Sequence, residues 1–238
     1  MTRGPVSLDN PVCVALDLTD ADSITKMALE VEDHVGVFKI GLTAFAAAGP
    51  GLVSELGSRR PVFVDLKLHD IPAQVAGAVE AIAAGGASYT TVHASGGADM
   101  IRAATEAADG VTILAVTVLT SLDSAVLQRV GFSGNAQNIV LRLAEEALGA
   151  GAPGLVCSPL EISGLRETFG TRSSGGPLLV VPGIRAQGAA RDDQRRTLSA
   201  REAMEAGADM IVIGRPITSA RDPAAAARHV QEELLESG

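Results

Sequence analysis

The residues with the clearest chemical potential lie in one hexapeptide, Asp65-Leu66-Lys67-Leu68-His69-Asp70. On an extended strand, residues two apart point to the same face, so Asp65 and Lys67 are predicted to lie side by side. Nearby carboxylates hold a lysine as an ammonium, because opposite charges favour the charged form. Such a lysine is a poor nucleophile and a good positioned acid. A purely structural ion-pair network would use the same residue types, so the hexapeptide alone leaves both interpretations open.

A second set of residues has the chemistry of a phosphate site. Gly183 lies two residues before Arg185, and Gly214 directly precedes Arg215. Backbone amides beside glycine, together with guanidinium groups, are suited to binding phosphate. The simpler interpretation of each arginine is a salt bridge at the surface, but two such pairs together favour phosphate.

The charged stretch at residues 185–199 lies between these two pairs. It contains Arg191-Asp192-Asp193-Gln194-Arg195-Arg196. One interpretation is a solvated loop. The other is a lid that closes on the phosphate, with Gln194 as a contact.

No metal site is predicted. Four side chains have the chemistry of metal ligands: Asp17, Asp65, Asp70 and His93. Lys39 and Lys67 are expected in the same space, where their charges would repel a cation. We interpret His93 as structural. The remaining histidines are interpreted as surface or packing residues: His34, His69 and His229. Ser158 has no evident base, so the sequence does not support a serine hydrolase.

The composition describes the scaffold that must position these groups. Of the 238 residues, 47% are apolar and 20% are charged, which excludes disorder and provides a sizeable core. Aromatic residues make up only 3%, which disfavours a base-stacking surface for nucleic acid. The net charge of −9 disfavours binding to DNA and to anionic membranes.

The cysteines and the N-terminus predict a cellular location. Cys13 and Cys157 lie inside apolar runs and are predicted to be buried free thiols of a reducing compartment. Residues 1–10 contain no apolar signal-peptide region, and no apolar stretch is long enough to span a bilayer. We therefore expect a soluble, cytoplasmic protein.

Eight short apolar runs alternate with alanine-rich helical segments. The predicted strands are residues 12–16, 35–40, 62–66, 89–93, 112–118, 154–157, 178–181 and 210–213. The clearest helical patterns are residues 73–84, 98–108, 135–148, 200–206 and 223–235. Strands that alternate with helices form right-handed parallel units, and eight units favour a (β/α)₈ (TIM) barrel of the α/β class over an open sheet. The prediction is a single domain over residues 1–238.

A barrel of this type carries its chemistry at the carboxyl ends of its strands. Charged residues follow at least six of the eight predicted strands at that end, and an apolar barrel interior has no need of them. The joint pattern predicts an active site on one rim.

The motifs also resemble a known family. Asp65-Leu66-Lys67-Leu68-His69-Asp70-Ile71-Pro72 is similar to the D-x-K-x-x-D-I-P signature of the orotidine 5′-phosphate decarboxylase family. The D-x-K-x-x-D part is shared with other sugar-phosphate barrels, but its combination with the other segments is specific. Matching segments run along nearly the whole chain: Val14-Ala15-Leu16-Asp17, Phe38-Lys39-Ile40-Gly41, Val92-His93-Ala94-Ser95-Gly96-Gly97, Thr117-Val118-Leu119-Thr120-Ser121, Pro182-Gly183-Ile184-Arg185, Asp192-Asp193-Gln194 and Val212-Ile213-Gly214-Arg215-Pro216-Ile217.

The resemblance implies conversion of orotidine 5′-monophosphate (OMP) to UMP in pyrimidine nucleotide synthesis, with no cofactor. Lys67 would be the general acid that protonates the ring carbon as carbon dioxide leaves, and Asp65 would lie beside the substrate carboxylate. It also implies a homodimer with shared sites, in which Asp70 comes from the neighbouring subunit. The implied binding residues are Asp17 and Lys39 at the ribose, Thr120 at the pyrimidine, and Arg185, Gln194, Gly214 and Arg215 at the phosphate.

One position departs from the family pattern, and two alternatives stay open. Gln74 stands where the family commonly has threonine, and we expect it to bind near the partner's ribose. The first alternative is a metal-dependent sugar-phosphate aldolase or decarboxylase on the same barrel, such as hexulose phosphate synthase. The second is a non-catalytic nucleotide-binding protein with a relic site, although the intact Asp65, Lys67 and Asp70 argue against it.

Overall fold

Eight parallel strands form a closed barrel in the computed structural model, which describes residues 9–184 and 198–235. Each strand pairs with the next along the chain, and β8 pairs with β1. The strands are β1 (Val12–Ala15), β2 (Val37–Gly41), β3 (Val62–Leu68), β4 (Tyr89–His93), β5 (Thr112–Val116), β6 (Gly154–Val156), β7 (Leu178–Pro182) and β8 (Met210–Ile213). The predicted barrel is confirmed.

The described helices cover the outside of this barrel. They are α1 (Ala21–Val31), α2 (Leu42–Ala48), α3 (Gly51–Gly57), α4 (Pro72–Ala84), α5 (Ala98–Glu106), α6 (Ser124–Arg129), α7 (Ala136–Gly149), α8 (Ile162–Phe169), α9 (Ala200–Glu205), α10 (Arg215–Thr218) and α11 (Pro223–Leu235). Local sequence explains several of their ends. Asp20 caps α1 by accepting a hydrogen bond from the Ser23 amide, and Pro72 occupies the first turn of α4, where a missing N–H costs little.

The predicted strand limits differ from the observed ones where backbone pairing overrides the apolar pattern. The bounds of β4, β8 and α11 match the prediction. Strand β5 ends at Val116 although the apolar run continues to Val118. Strand β3 extends to Leu68, two residues beyond its predicted end, through an irregular segment that carries charged residues.

Two apolar layers hold the barrel together. The outer layer packs the sheet against the helices, and the inner layer fills the barrel interior with ten buried side chains, among them Phe63 and Tyr89. These two rings meet edge to face, with centroids 6.2 Å apart. Space is short in this layer: a Cβ atom on Gly154 would lie 2.7 Å from the Leu114 side chain. The inner layer therefore closes the N-terminal side of the barrel and leaves room for polar groups at the opposite end.

Within the described ranges, no helix combines the length and the apolar character needed to cross a membrane.

Candidate active site

A pocket of about 740 Å³ opens at the carboxyl ends of the strands, on the predicted rim. Its size lies within the range that small-molecule sites usually have. The charged and polar side chains in its lining are Asp17, Lys39, Asp65, Lys67, Thr120, Arg215 and Ser219. Apolar side chains from β5 to β8 form the opposite wall.

Four charged side chains form a row of alternating sign in this pocket. Lys39 Nζ lies 3.2 Å from Asp17 Oδ1 and 3.5 Å from Asp65 Oδ2. Lys67 Nζ donates to both oxygens of Asp65, at 2.8 and 2.9 Å. The two inner side chains are nearly buried, with 9% of Lys39 and 13% of Asp65 exposed. Lys67 at 30% and Asp17 at 51% reach the open pocket.

The inner pair is held in its charged state. Burial disfavours the charged form of Lys39, but attraction from Asp65 and then Asp17 outweighs it and raises the pKa of the ammonium above 10.5. Burial likewise opposes ionisation of Asp65. Lys39 and Lys67, with hydrogen bonds from Lys67 and Thr91, outweigh it and lower the pKa of this carboxyl below 3.8. The pocket therefore presents fixed charges at neutral pH.

The backbone of β3 is irregular where it carries the reactive lysine. Val64 pairs with Thr90 and Leu68 with Val92, so β3 has two more residues than β4 over this interval. Within the described chain, Lys67 is the only non-glycine residue with a positive φ, at 52°. The predicted proximity of Asp65 and Lys67 is confirmed, but a bulge produces it rather than regular alternation.

A glycine leaves the space that the ion pair of β1 and β2 needs. A Cβ atom on Gly41 would lie 2.8 Å from Lys39 Nζ and would overlap Asp17 Oδ1. Both contacts are closer than packed atoms tolerate, so a larger residue at position 41 would displace Asp17 and Lys39. The absent side chain of Gly41 is therefore part of the geometry of this site.

Sequence reasoning missed Thr91. Its side chain is fully buried, and its hydroxyl contacts both Asp65 and the backbone of Lys67. The available signal was a threonine at an inward position of β4, two residues after the inward Tyr89, where an apolar residue is expected.

Three of the four histidines have side-chain contacts in the structure. His93, at the end of β4, has its ring centroid 5.3 Å from that of the exposed His69. Burial, and then the nearby His69 and Lys67, lower the pKa of His93. His34 Nδ1 lies 3.2 Å from Gln231 Oε1. Within residues 9–184 and 198–235, no group of three or more His, Cys, Asp or Glu side chains is arranged to hold a metal ion.

Comparison with known proteins places this barrel in a family. The family model "Orotidine 5'-phosphate decarboxylase / HUMPS family" matches residues 10–230, nearly the whole chain. The chain belongs to the orotidine 5′-phosphate decarboxylase / HUMPS family.

Relatives of this family are similar over almost their full length. A protein of Anaeromyxobacter sp. (strain K) named orotidine 5′-phosphate decarboxylase is 52% identical over 227 residues, which cover 94% of this chain and 97% of the relative. A protein of the same name from Thermobifida fusca (strain YX) is 48% identical, covering 96% and 97%. A crystal structure of orotidine 5′-phosphate decarboxylase from Lactobacillus acidophilus superposes with a TM-score of 0.83 at 36% identity, covering 95% of this chain and 99% of that one.

The site residues expected from the decarboxylase resemblance fall into three groups in the structure. Seven line the pocket: Asp17, Lys39, Asp65, Lys67, Thr120, Gly214 and Arg215. Asp70 and Gln74 are exposed and are not among the lining residues. Asp70 Oδ1 accepts a hydrogen bond from the Ile71 amide at 2.7 Å, just before α4. Arg185 and Gln194, like most of the 185–199 stretch, lie outside the described residues.

Proposed function

We propose that this chain is an orotidine 5′-phosphate decarboxylase that converts OMP to UMP and carbon dioxide in pyrimidine nucleotide synthesis. The observation that carries the proposal is the Lys67 ammonium, held 2.8 Å from Asp65 at the edge of a pocket, in a chain of this family. The proposal takes residues 1–238 as a single decarboxylase domain.

The proposed reaction replaces one bond at the pyrimidine ring. The bond between the ring carbon and the carboxyl carbon breaks, and its electron pair stays on the ring carbon while carbon dioxide leaves. Lys67 delivers its proton to that carbon, and solvent reprotonates the resulting amine. A fixed ammonium beside the ring carbon stabilises negative charge only as that charge develops, so it lowers the barrier without tightening substrate binding.

Asp65 has two proposed roles. It orients the Lys67 ammonium through two hydrogen bonds, and it lies beside the carboxylate of the substrate. Because Lys39 and Lys67 both contact Asp65, its own charge stays compensated when the substrate arrives. Holding these charges in place before the reaction avoids the reorganisation that water would need.

The remaining lining residues fit the other parts of the nucleotide. Asp17 and Lys39 are assigned to the ribose hydroxyls, and Thr120 to the pyrimidine. Gly214 and Arg215 begin a short helix after β8, where barrels of this kind often bind phosphate. With Arg185 and Gln194 they form the proposed phosphate site. Contacts to the distant phosphate would help to hold the ring against the charged row.

The two alternatives from the sequence gain no support. Relatives at 48–52% identity are named decarboxylases, and the residues that a relic would be free to lose are in place. A metal-dependent aldolase would want a carboxylate near Lys39 for its cation, and both carboxylates at that place, Asp17 and Asp65, are paired with lysine ammonium groups.

The decisive experiment follows the ultraviolet absorbance of OMP with purified protein and excess EDTA. We expect the absorbance change of decarboxylation and formation of UMP. A parallel reaction without EDTA is the control. Absence of turnover in both reactions would refute the proposal, and turnover only without EDTA would favour a metal-dependent enzyme.

The proposed assembly is a homodimer with shared sites. Asp70 and Gln74 face solvent next to Ile71, an apolar side chain that is 64% exposed. A second copy of the chain would cover Ile71 and receive the two polar side chains near its own pocket. The proposed location is the cytoplasm, which fits the two buried free cysteines, Cys13 and Cys157.

Subunit mixing tests the shared site. In a heterodimer of Lys67→Ala and Asp70→Ala chains, one site carries both defects and the other carries neither. Random exchange makes half of the dimers hetero, so activity should recover to about a quarter of wild type. If Asp70 serves its own chain, every site keeps a defect and mixing restores nothing.

A further inference from the structure

Thr91 lies behind the charged row and joins two of its members. It is fully buried on β4. Its Oγ1 accepts a hydrogen bond from the backbone N–H of Lys67 at 2.8 Å and donates one to Asp65 Oδ1 at 3.0 Å. The direction of both bonds follows from chemistry, because an amide N–H only donates and an ionised carboxylate only accepts. The single hydroxyl therefore acts as acceptor toward Lys67 and as donor toward Asp65.

The bond to Lys67 replaces one that the sheet does not make. The register between β3 and β4 shifts between Val64 and Leu68, so the amide of Lys67 is not in the regular ladder. Lys67 also adopts a left-handed backbone conformation, which a lysine adopts only when its surroundings enforce it. The Thr91 hydroxyl supplies the missing acceptor at this point. It thereby stabilises the backbone conformation that allows the Lys67 ammonium to contact Asp65.

The bond to Asp65 orients the carboxylate. Oδ1 of Asp65 accepts from both the Lys67 ammonium and the Thr91 hydroxyl, while Oδ2 also accepts from Lys67 and lies 3.5 Å from Lys39 Nζ. With the carboxylate fixed from behind, rotation that would separate it from either lysine loses a hydrogen bond. One buried hydroxyl therefore couples the backbone of the proposed acid to the position of its counter-ion.

The neighbouring Thr90 provides a natural contrast. It is also fully buried, and its hydroxyl also reaches β3, where it donates to the carbonyl of Val64 at 2.9 Å. Its side chain points to the opposite face of β4, away from the pocket, because successive strand residues alternate. Thr90 thus makes the same kind of bond to the same strand without touching a charged residue of the site.

We propose that Thr91 is a positioning residue of the decarboxylation, whose hydroxyl holds the Lys67 backbone and the Asp65 carboxylate in the arrangement that the proton transfer needs. The inference rests on the proposed function for its kinetic readout. It acts through Asp65 and Lys67, so its loss should affect the rate more than substrate binding.

The experiment compares Thr91→Val, which keeps the shape and removes the hydroxyl, with Thr91→Ser and with the matched control Thr90→Val. We expect Thr91→Val to lower kcat by about 10- to 100-fold, the scale of misplacing a reacting group, with KM within about threefold. Thr91→Ser should restore kcat to within about threefold of wild type. Thr90→Val should lose about as much thermal stability as Thr91→Val, while its kcat stays within about twofold of wild type.

Two further measurements separate positioning from general damage. Because the Thr91 hydroxyl helps to lower the pKa of Asp65, the acid limb of the kcat/KM profile should move to higher pH in Thr91→Val and not in Thr90→Val. A crystal structure of Thr91→Val should show a changed φ at Lys67 or a lengthened contact between Lys67 and Asp65. If Thr91→Val does not fold, Thr91→Cys takes its place, since a thiol at the position of the hydroxyl makes weaker hydrogen bonds, and Thr91→Ser, which also lacks the methyl group, is its matched control.

The results separate a failure of the Thr91 role from a failure of the proposed decarboxylase function. Equal kcat losses in Thr91→Val and Thr90→Val, or failure of serine to restore the rate, would overturn the inference while the active wild type upholds the decarboxylase. An inactive wild type would overturn the function instead. The crystal structure of Thr91→Val would still test the role of Thr91 in that case. An unchanged geometry of Lys67 and Asp65 in this variant would refute the positioning role.

Discussion

Each end of the barrel contains a buried pair of opposite charges, and the two pairs are built differently. At the N-terminal end, Arg166 Nη2 lies 2.6 Å from Asp209 Oδ2, with 9% of the arginine side chain exposed. At the C-terminal end, Lys39 and Asp65 are buried to a similar extent. Burial and charge alone therefore do not distinguish the two ends.

The partners of the cations make the distinction. Arg166 donates to the backbone carbonyls of Gly207, Gly170 and Pro177, and Asp209 accepts from the amide of Leu179. The planar guanidinium thus joins the segments that lead into β7 and β8, which is a structural task. Among the described residues, the hydrogen bonds of the Lys67 ammonium both go to Asp65, and this ammonium borders an open pocket. Charges tied to the backbone hold the fold, whereas charges tied to each other at a cavity can act on a ligand.

The sharpest test of this contrast is Lys67→Ala. We expect loss of nearly all decarboxylation, because the acid and its electrostatic stabilisation are each worth roughly 10²–10⁴-fold. Folding and UMP binding should stay largely intact, since Lys39 still compensates the charge of Asp65 and the alanine leaves the barrel packing untouched. Turnover, UMP titration calorimetry and thermal unfolding measure the three properties. Turnover near the wild-type rate would remove Lys67 from the mechanism.

The opposite result is expected at the N-terminal end. Arg166→Ala leaves the buried Asp209 carboxylate without its cation and three backbone carbonyls without their donor. The free energy of unfolding should therefore fall by about 3 kcal/mol. The kcat of the folded fraction should stay within about twofold, because the site lies at the other end. Urea unfolding and active-site titration measure these two quantities. A large kcat loss without a stability loss would show that the two ends are coupled.

Arg215→Ala asks whether every cation at the C-terminal end acts on the substrate. Removing one charge-assisted hydrogen bond to phosphate should lower kcat/KM for OMP by about 10- to 100-fold. The nucleoside orotidine lacks the phosphate, so its slow decarboxylation should be insensitive to the change. Equal losses on both substrates would assign Arg215 a structural role like that of Arg166.

The smallest expected effect is the pH dependence of the charged row. The pKa of Asp65 lies lower in the folded protein, so its contribution to stability is present above pH 3.8 and disappears as the pH falls through the folded pKa. The pKa of Lys39 is raised, so its contribution is present below pH 10.5 and is lost as the pH rises through the higher folded value. Between these limits Lys39 and Asp65 should both keep their charges. Carbon-13 NMR of the Asp65 carboxyl should give a pKa below 3.8, and a value above it would contradict the assigned charge state.

Elements determined by nearby residues could be predicted from the sequence. The eight strands followed from apolar runs. The proximity of Asp65 and Lys67 was predicted from their spacing, although a bulge brings them together and not the regular alternation assumed. The bulge in β3 could not be predicted, because it depends on the register with β4, and the same register gives Thr91 its role. The Arg166–Asp209 pair joins residues 43 positions apart, and neither one stands in a recognisable motif.

The rings of Phe63 and Tyr89, which meet edge to face, belong to the apolar layer that fills the barrel beneath the pocket. The pocket above this layer opens at the carboxyl ends of the strands. If OMP binds in this pocket as proposed, carbon dioxide forms while the nucleotide still occupies it. Carbon dioxide that stays beside the ring would recombine with the ring carbon only until Lys67 has protonated that carbon.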